Sequence, residues 1–312
     1  LIWKEANKRF DEYGNDKLIG TNGFYAMKAH WSEHPDRDEA WAEAERARIG
    51  EERFRREHEC EFLIFDETLI SSLTLADMEG TTPVETTGQV RWYKRPTPGH
   101  TYMVSLDPSM GTGGDFAAIQ VFELPTFEQI GEWHHNQTPM NQQVRILQGI
   151  NKHIHDTIME KDATASPQIF YSMENNTIGE AALMRVMDIG EENIMGMFLS
   201  EPIRKGHRRK FRRGFNTTAK FKIDACTKFK ELVESDKMKI NSQLLISELK
   251  DFVASGLSFK AKPGQHDDLV SACLLMTRMM KVLADFDPKI FEKWTDRTSE
   301  ITPMPIFGSF SG

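Results

Sequence analysis

Three acidic positions in this 312-residue sequence fall where a carboxylate can do chemistry. Asp107 ends the apolar run Met103-Val-Ser-Leu106 and precedes a glycine-rich stretch, Pro108 to Asp115. Glu174 ends a second such run, Ile169-Phe-Tyr-Ser-Met173. Asp267 and Asp268 open an apolar helical stretch after Pro263-Gly264-Gln265-His266. Carboxylates placed where strands and loops leave one end of a sheet make a hard-oxygen site suited to Mg²⁺ or Mn²⁺. Two such ions, roughly 3.5 to 4 Å apart, can activate water and stabilise the leaving oxygen in phosphodiester hydrolysis. Asp115 lies across a turn that could fold back toward the same place. Each acid also has a plainer role open to it. Asp107 could shape the turn before Pro108, and Asp267, Asp268 or Glu174 with Asn175-Asn176 could cap a helix.

The elements that must carry these residues are legible as runs. Val90–Tyr93, Thr101–Leu106, Ala117–Phe122, Ile130–Trp133 and Gln168–Met173 read as strands, with a shorter one over Met195–Leu199. Helices are expected from about Met140 to Met159, Ile178 to Met187, Thr217 to Val233, Leu244 to Phe252 and Asp267 to Leu283. Short extended pieces are expected over Lys237–Ile240 and Leu257–Phe259. Strands that look antiparallel, then alternating helices and strands, indicate a mixed α/β sheet. In front of it, an acidic helical segment from Asp36 to about Cys60 takes Asp36 as its N-cap and shows a narrow apolar face of Trp41, Ala44 and Ala47. A polar connector, Glu79–Gly88, follows.

Charge is unevenly placed. The chain carries −8 overall, yet Arg204, Lys205, Arg208, Arg209, Lys210, Arg212 and Arg213 put seven cations and no acid into ten positions. The remainder therefore stands at −15. An acidic body with one concentrated basic element points to a local polyanion site. Lys220, on the following helix, could meet a phosphate too.

Several classes fall away. No window approaches the roughly 18 to 20 apolar residues of a membrane span. Three scattered cysteines, Cys60, Cys226 and Cys273, form neither a disulfide framework nor a zinc ribbon and fit a reducing compartment. His30-Trp-Ser-Glu33-His34 matches an inverted zinc-protease pattern, but Pro35 breaks the helix it requires. Leu63–Glu67 resembles an ATPase metal-and-base run, with no phosphate loop in the chain to serve it. His134-His135 and His153/His155 have no paired ligand set and read as surface histidines. The start at Leu1, without an initiator Met, is that expected of a piece of a longer protein.

Taken in order, the strand ending in Asp107 with Gly-Gly-Asp115, the strand ending in Glu174-Asn-Asn, and His266-Asp267-Asp268-Leu269-Val270 resemble the nuclease domain of tailed-phage large terminase subunits. The resemblance implies an RNase H-like mixed sheet flanked by helices, preceded by a small, mainly helical partial domain. It implies an acidic triad on Asp107, Glu174 and one of Asp267 or Asp268. Trp31 through Trp41, Ile49-Gly50, Phe54 and Glu59-Cys60-Glu61-Phe62 resemble the end of the family's packaging ATPase domain. The implied organisation is therefore 1–85 as ATPase end and linker, 86–285 as nuclease, and 286–312 as a flexible tail. The implied activity is two-metal endonucleolytic cleavage of concatemeric double-stranded DNA. Its partners would be DNA, the portal protein, the small terminase subunit and the upstream ATPase domain, with no membrane. Its place would be the cytoplasm of the infected bacterial host, at the procapsid portal. A non-catalytic DNA clamp or portal-docking module, and a junction-resolvase-like nuclease, remain the rival readings.

Overall fold

The computed structural model describes residues 6, 17, 19–27, 29–60, 67–202 and 213–286. Arg204, Lys205, Arg208, Arg209, Lys210, Arg212, the run 61–66 and the tail beyond 286 lie outside them. The chain divides into two compact units, Leu1–Phe65 and Asp66–Gly312.

In the first unit, helix α1 (Glu39–Ile49) is capped by Asp38, whose carboxylate accepts the Trp41 N–H at 2.8 Å. Asp36 is therefore not the cap that the Glu39 spacing suggests. Gly50, at φ 83°, ends α1 and separates it from α2 (Glu51–His58), so the long acidic segment is two helices. The buried stripe also differs from the expected one. Ala42 and Phe54 are fully buried against Trp31 and Trp41, whereas Ala44 and Ala47 face solvent. Arg46 lies over the Phe54 ring and pairs with Glu39 and Glu59.

The second unit is built on a seven-stranded sheet of order β1-β2-β5-β4-β3-β6-β7. After α3 (Ser72–Asp77) come β1 (Glu85–Thr87), β2 (Val90–Trp92), β3 (Thr101–Asp107), β4 (Ala117–Leu124) and β5 (Glu128–His135). Helix α4 (Met140–Lys161) leads to β6 (Gln168–Met173), and α5 (Thr177–Ile189) to the two-residue β7 (Met197–Phe198). Helices α6 (Ala219–Glu234) and α7 (Gln243–Asp251) precede a hairpin of β8 (Phe252–Ser255) and β9 (Ser258–Ala261). Helix α8 (Asp268–Phe286) closes the described chain. The first five strands pair antiparallel wherever they are neighbours, while β3–β6 and β6–β7 are parallel. Residues 67–81 belong to this unit: Leu69 N–H bonds to Phe252 O and Thr81 N–H to Asn241 O.

Central strands covered on both faces read as continuous apolar runs, which is why β3 and β4 were visible in the sequence. Side-chain alternation then assigns the faces. Tyr102, Val104 and Leu106 of β3 join Ile169, Tyr171 and Met173 of β6 in one core with Val144, Leu147 and Ile150 of α4 and Val186 of α5. The intervening residues point to the opposite face, where the buried Ser105 hydroxyl donates to the Ala272 carbonyl of α8 at 2.8 Å. Among the described residues, no helix is long and apolar enough to cross a membrane.

Candidate metal centre

Parity and register bring the acids together. Leu106 lies opposite Met173 in the parallel β3–β6 ladder, so Asp107 and Glu174 leave the sheet side by side, on the face covered by α8. The ladder continues one step further, with Glu174 N–H bonded to Leu106 O at 3.1 Å. The antiparallel β3–β4 turn returns Asp115 to the same end, and α8 begins there with Asp268. Asp107, Asp115, Glu174, Asp267 and Asp268 all line one cavity of about 310 Å³, and no Lys or Arg is among its lining residues.

Two glycines make this crowding possible. A Cβ on Gly179 would stand 1.8 Å from the Glu174 carbonyl oxygen, so α5 can start against the Glu174 backbone only because residue 179 has none. Gly111 takes φ +68°, and a Cβ there would lie 2.2 Å from the Thr138 carbonyl.

Electrostatics follow from the geometry. Burial, then repulsion and a hydrogen bond from Glu174, then Asp268 and Asp267, hold the Asp107 carboxyl well above the usual carboxylate range. Burial and the Asp267 charge raise Asp268 to about 6, opposed by His266 and the Phe116 N–H. Among the described ion pairs, the acids of the cavity meet Lys222, 3.8 Å from Asp267 Oδ2, and the His266 ring, 3.6 Å from Asp268 Oδ2. Lys220 instead lines a separate, larger groove of about 790 Å³ beside α6 and α8.

Among the described residues, no three His, Cys, Asp or Glu side chains already stand as a metal ligand shell. The acids instead surround a shared space. Carboxylate oxygens alone, in excess of nearby cations, are the donor set of a hard divalent ion. The residues fit Mg²⁺ or Mn²⁺, and Asp107, Glu174, Asp267 and Asp268 are those that would hold it.

The plainer roles are not the ones these acids take. The Asp267 carboxylate accepts from the Ala261 N–H at 3.4 Å, and Asn176, at the N-cap of α5, makes no side-chain cap bond. Asn175 donates to the Arg213 carbonyl at 2.6 Å. Arg213, the one described member of the basic run, pairs with Glu191 and lies over the Phe198 ring.

Two residues around the site escaped the sequence reading. Glu248 of α7 is 10% exposed and accepts the Val270 N–H at 3.1 Å; burial raises it to about 8. His134 is no surface histidine. It is 13% exposed, stacks on Phe116 at 4.1 Å between centroids, and lies 3.7 Å from Glu248. Burial, then Arg91, His266 and His135, push it down to about 4.

Comparisons with known proteins place the fold. The model of the terminase RNase H-like domain matches residues 104–279, more than half of the chain. The chain belongs to that family. This terminase domain is also similar in fold to the large terminase nuclease of thermophilic phage G20c. The magnesium-bound and cobalt-bound structures of that nuclease each match at TM-score 0.50 and 17% identity, covering 69% of this chain and 97% of theirs. The human cytomegalovirus terminase nuclease domain, Mn-soaked and inhibitor-bound, matches at TM-score 0.42 and 13% identity, over 67% and 93% of the two chains. The RNase H-like fold expected from the sequence is thus the observed one. In this chain the β3–β6 register carries Asp107 and Glu174 to a common sheet end.

Proposed function

We propose that this chain is the metal-dependent endonuclease of a viral DNA-packaging motor, cutting concatemeric double-stranded DNA by two-metal phosphodiester hydrolysis. The observation that carries the reading is the parallel register that sets Asp107 beside Glu174 under the start of α8. Two bound divalent ions, Mg²⁺ or Mn²⁺, supply the charge that activates water and offsets the leaving oxygen. The protein's part is to hold Asp107, Glu174 and the Asp267–Asp268 pair on rigid elements, with Asp115 at the more exposed mouth. The fold of the G20c nuclease, solved with magnesium and with cobalt, supports a divalent-ion reading for this chain as well.

Substrate binding falls to the basic run 204–213. Its exit is tied to the site: Phe215 bridges Glu174 in parallel, and Asn175 N–H bonds to Phe215 O at 2.7 Å. Lysines and arginines mounted there would grip phosphates without reading bases. On the same reading, the unit Leu1–Phe65 is the end of the motor's ATPase domain, and residues 67–85, read from the sequence as part of its linker, pack within the second unit. The partners are then portal, small terminase subunit and the upstream ATPase, at the procapsid in the host cytoplasm.

Linearisation of supercoiled plasmid in Mg²⁺, Mn²⁺ or EDTA, beside Asp107→Ala, tests this. Metal-dependent cutting that Asp107→Ala abolishes, with DNA binding kept, is expected. Cutting that survives the substitution refutes the site, and metal-indifferent DNA binding without cutting favours the clamp.

A further inference from the structure

The start of α8 presents a conflict that the structure resolves in an unusual way. The first N–H groups of a helix have no partner within it, and an Asp at the N-terminus ordinarily accepts them. Asp267 and Asp268 occupy that place, and a carboxylate bonded to its own helix end is turned away from the cavity. Yet the Asp267 side chain bonds outward, to the Ala261 N–H, and its backbone carbonyl alone takes the Ser271 N–H, at 2.7 Å.

The missing acceptor comes from another helix. Glu248, on α7, reaches the start of α8, where its Oε2 accepts the Val270 N–H at 3.1 Å. Leu269 and Val270 are the second and third residues of α8, the positions whose N–H groups a cap must satisfy. Glu248 lies between the buried Leu245, Ile246 and Leu249, so its place is fixed by packing on both sides.

We propose that Glu248 is a positioning residue, a helix cap supplied in trans by α7. It satisfies the α8 terminus so that Asp267 and Asp268 are free to face Asp107 and Glu174. The inference rests on the metal-site reading above, because its consequence is felt through ion binding. Partners one layer behind metal ligands typically govern affinity by about 10- to 100-fold.

The test is Mn²⁺ binding by electron paramagnetic resonance, on the full chain without DNA, for wild type, Glu248→Ala, Glu248→Gln and Asp107→Ala. Amide hydrogen exchange at Leu269 and Val270 is followed in parallel. Glu248→Ala is expected to weaken Mn²⁺ binding about tenfold or more and to speed exchange at the Val270 amide. Glu248→Gln keeps a side-chain oxygen acceptor and is expected to stay within about threefold of wild type on both readouts. Glu248→Ala binding that matches wild type overturns the proposal. So does Glu248→Gln as weak as Glu248→Ala, since charge rather than capping would then matter. Should Glu248→Ala fail to fold, the Glu248→Gln comparison decides alone. Wild-type affinity that Asp107→Ala leaves untouched sinks the metal-site reading instead, while the exchange data still report on the cap.

Discussion

In EDTA the protein should lose stability as pH rises from 6.5 to 8.5, and Glu248 sets the expected size. Burial raises its pKa from 4.5 to about 8, against hydrogen bonds from Val270 and Leu269 and with repulsion from Asp268 and Asp267. In the unfolded chain this group is ionised throughout the window, whereas the folded state keeps its proton until about pH 8. The folded state therefore binds more protons, and stability falls as pH rises. The interval from 6.5 to 8 is about 1.5 units, or about 2 kcal/mol. For a unit of about 200 residues that is a fall in Tm of roughly 4–8 °C. The window avoids the opposing histidine effect. His134, at about 4 when folded, adds stability with pH only up to the unfolded value near 6.5. Asp268, at about 6, has largely ionised before the window opens, and Asp107 adds in the same direction as Glu248. Differential scanning calorimetry at three pH values, for wild type and Glu248→Gln, reads the effect. The variant should lose about that share of the slope. Saturating Mn²⁺ should shrink the slope in wild type, because a ligand that prefers ionised carboxylates stabilises the folded state most at high pH. A Tm that is flat or rising in EDTA, or a Glu248→Gln slope equal to wild type, refutes the reasoning.

Two further outcomes follow from the site. Replacing Arg204, Lys205, Arg208, Arg209, Lys210 and Arg212 with Gln should weaken duplex binding alike for all sequences. It should also lower the slope of log K against log salt by about 0.9 for each side chain that meets a phosphate, and an unchanged slope in a salt titration counts against the basic run. Gly179→Ala should lower Tm by roughly 6–12 °C, at about 3 kcal/mol or more, because its methyl group must displace the Glu174 carbonyl. A thermal melt within about 2 °C of wild type would show that α5 can shift freely.

How much of this was legible depends on whether the signal is local. Strands β3, β4 and β6 are continuous buried runs, and β3 and β6 end at marked acids, so both the elements and Asp107 and Glu174 could be read directly. The face on which those acids lie needed only parity, once β3 and β6 were known to run parallel in register. Strand β8 was hidden because Phe252–Ser255 follows α7 without a glycine or proline to mark the change, and the run reads as helix. Strand β1 was hidden in a polar, Thr-rich connector, since an edge strand needs no apolar face. Glu248 left a trace that was overlooked: it sits three residues after Leu245 and one before Leu249, on the buried side of an amphipathic helix. A glutamate on an apolar stripe is a signal, but its partner, the start of α8, lies about twenty residues on and is set only by packing. Lys220, read as able to meet a phosphate, lines the groove beside α6 and α8. Lys222, two residues later on the helix, is the one turned toward Asp267.

The acids and the basic run are held by one frame, and this bears on how they can act together. Arg278, ten residues into the helix that starts with Asp268, is 11% exposed and pairs with Glu201, just before the basic run. Its guanidinium also donates to the Thr217 hydroxyl and the Asn216 carbonyl, each at 3.0 Å, just after that run. The rings of Phe215 and Phe221 flank it at about 5 Å. Both stems of the basic run are thus fixed to α8, and the exit stem is fixed again to Glu174 through Phe215. A planar guanidinium with five donors can hold several acceptors at once, which a lysine cannot do. Repulsion among the acids would by itself splay the sheet end from α8. The Glu248 cap, the Ser105–Ala272 bond and the Arg278 clasp oppose that from the first turn, the second turn and just past the middle of the same helix. Electrostatic catalysis by ions needs ligands that do not move as charge develops. On the proposed reading, anchoring α8 at these three points would meet that requirement with Ser105, Glu248 and Arg278, none of which lines the cavity of the acids.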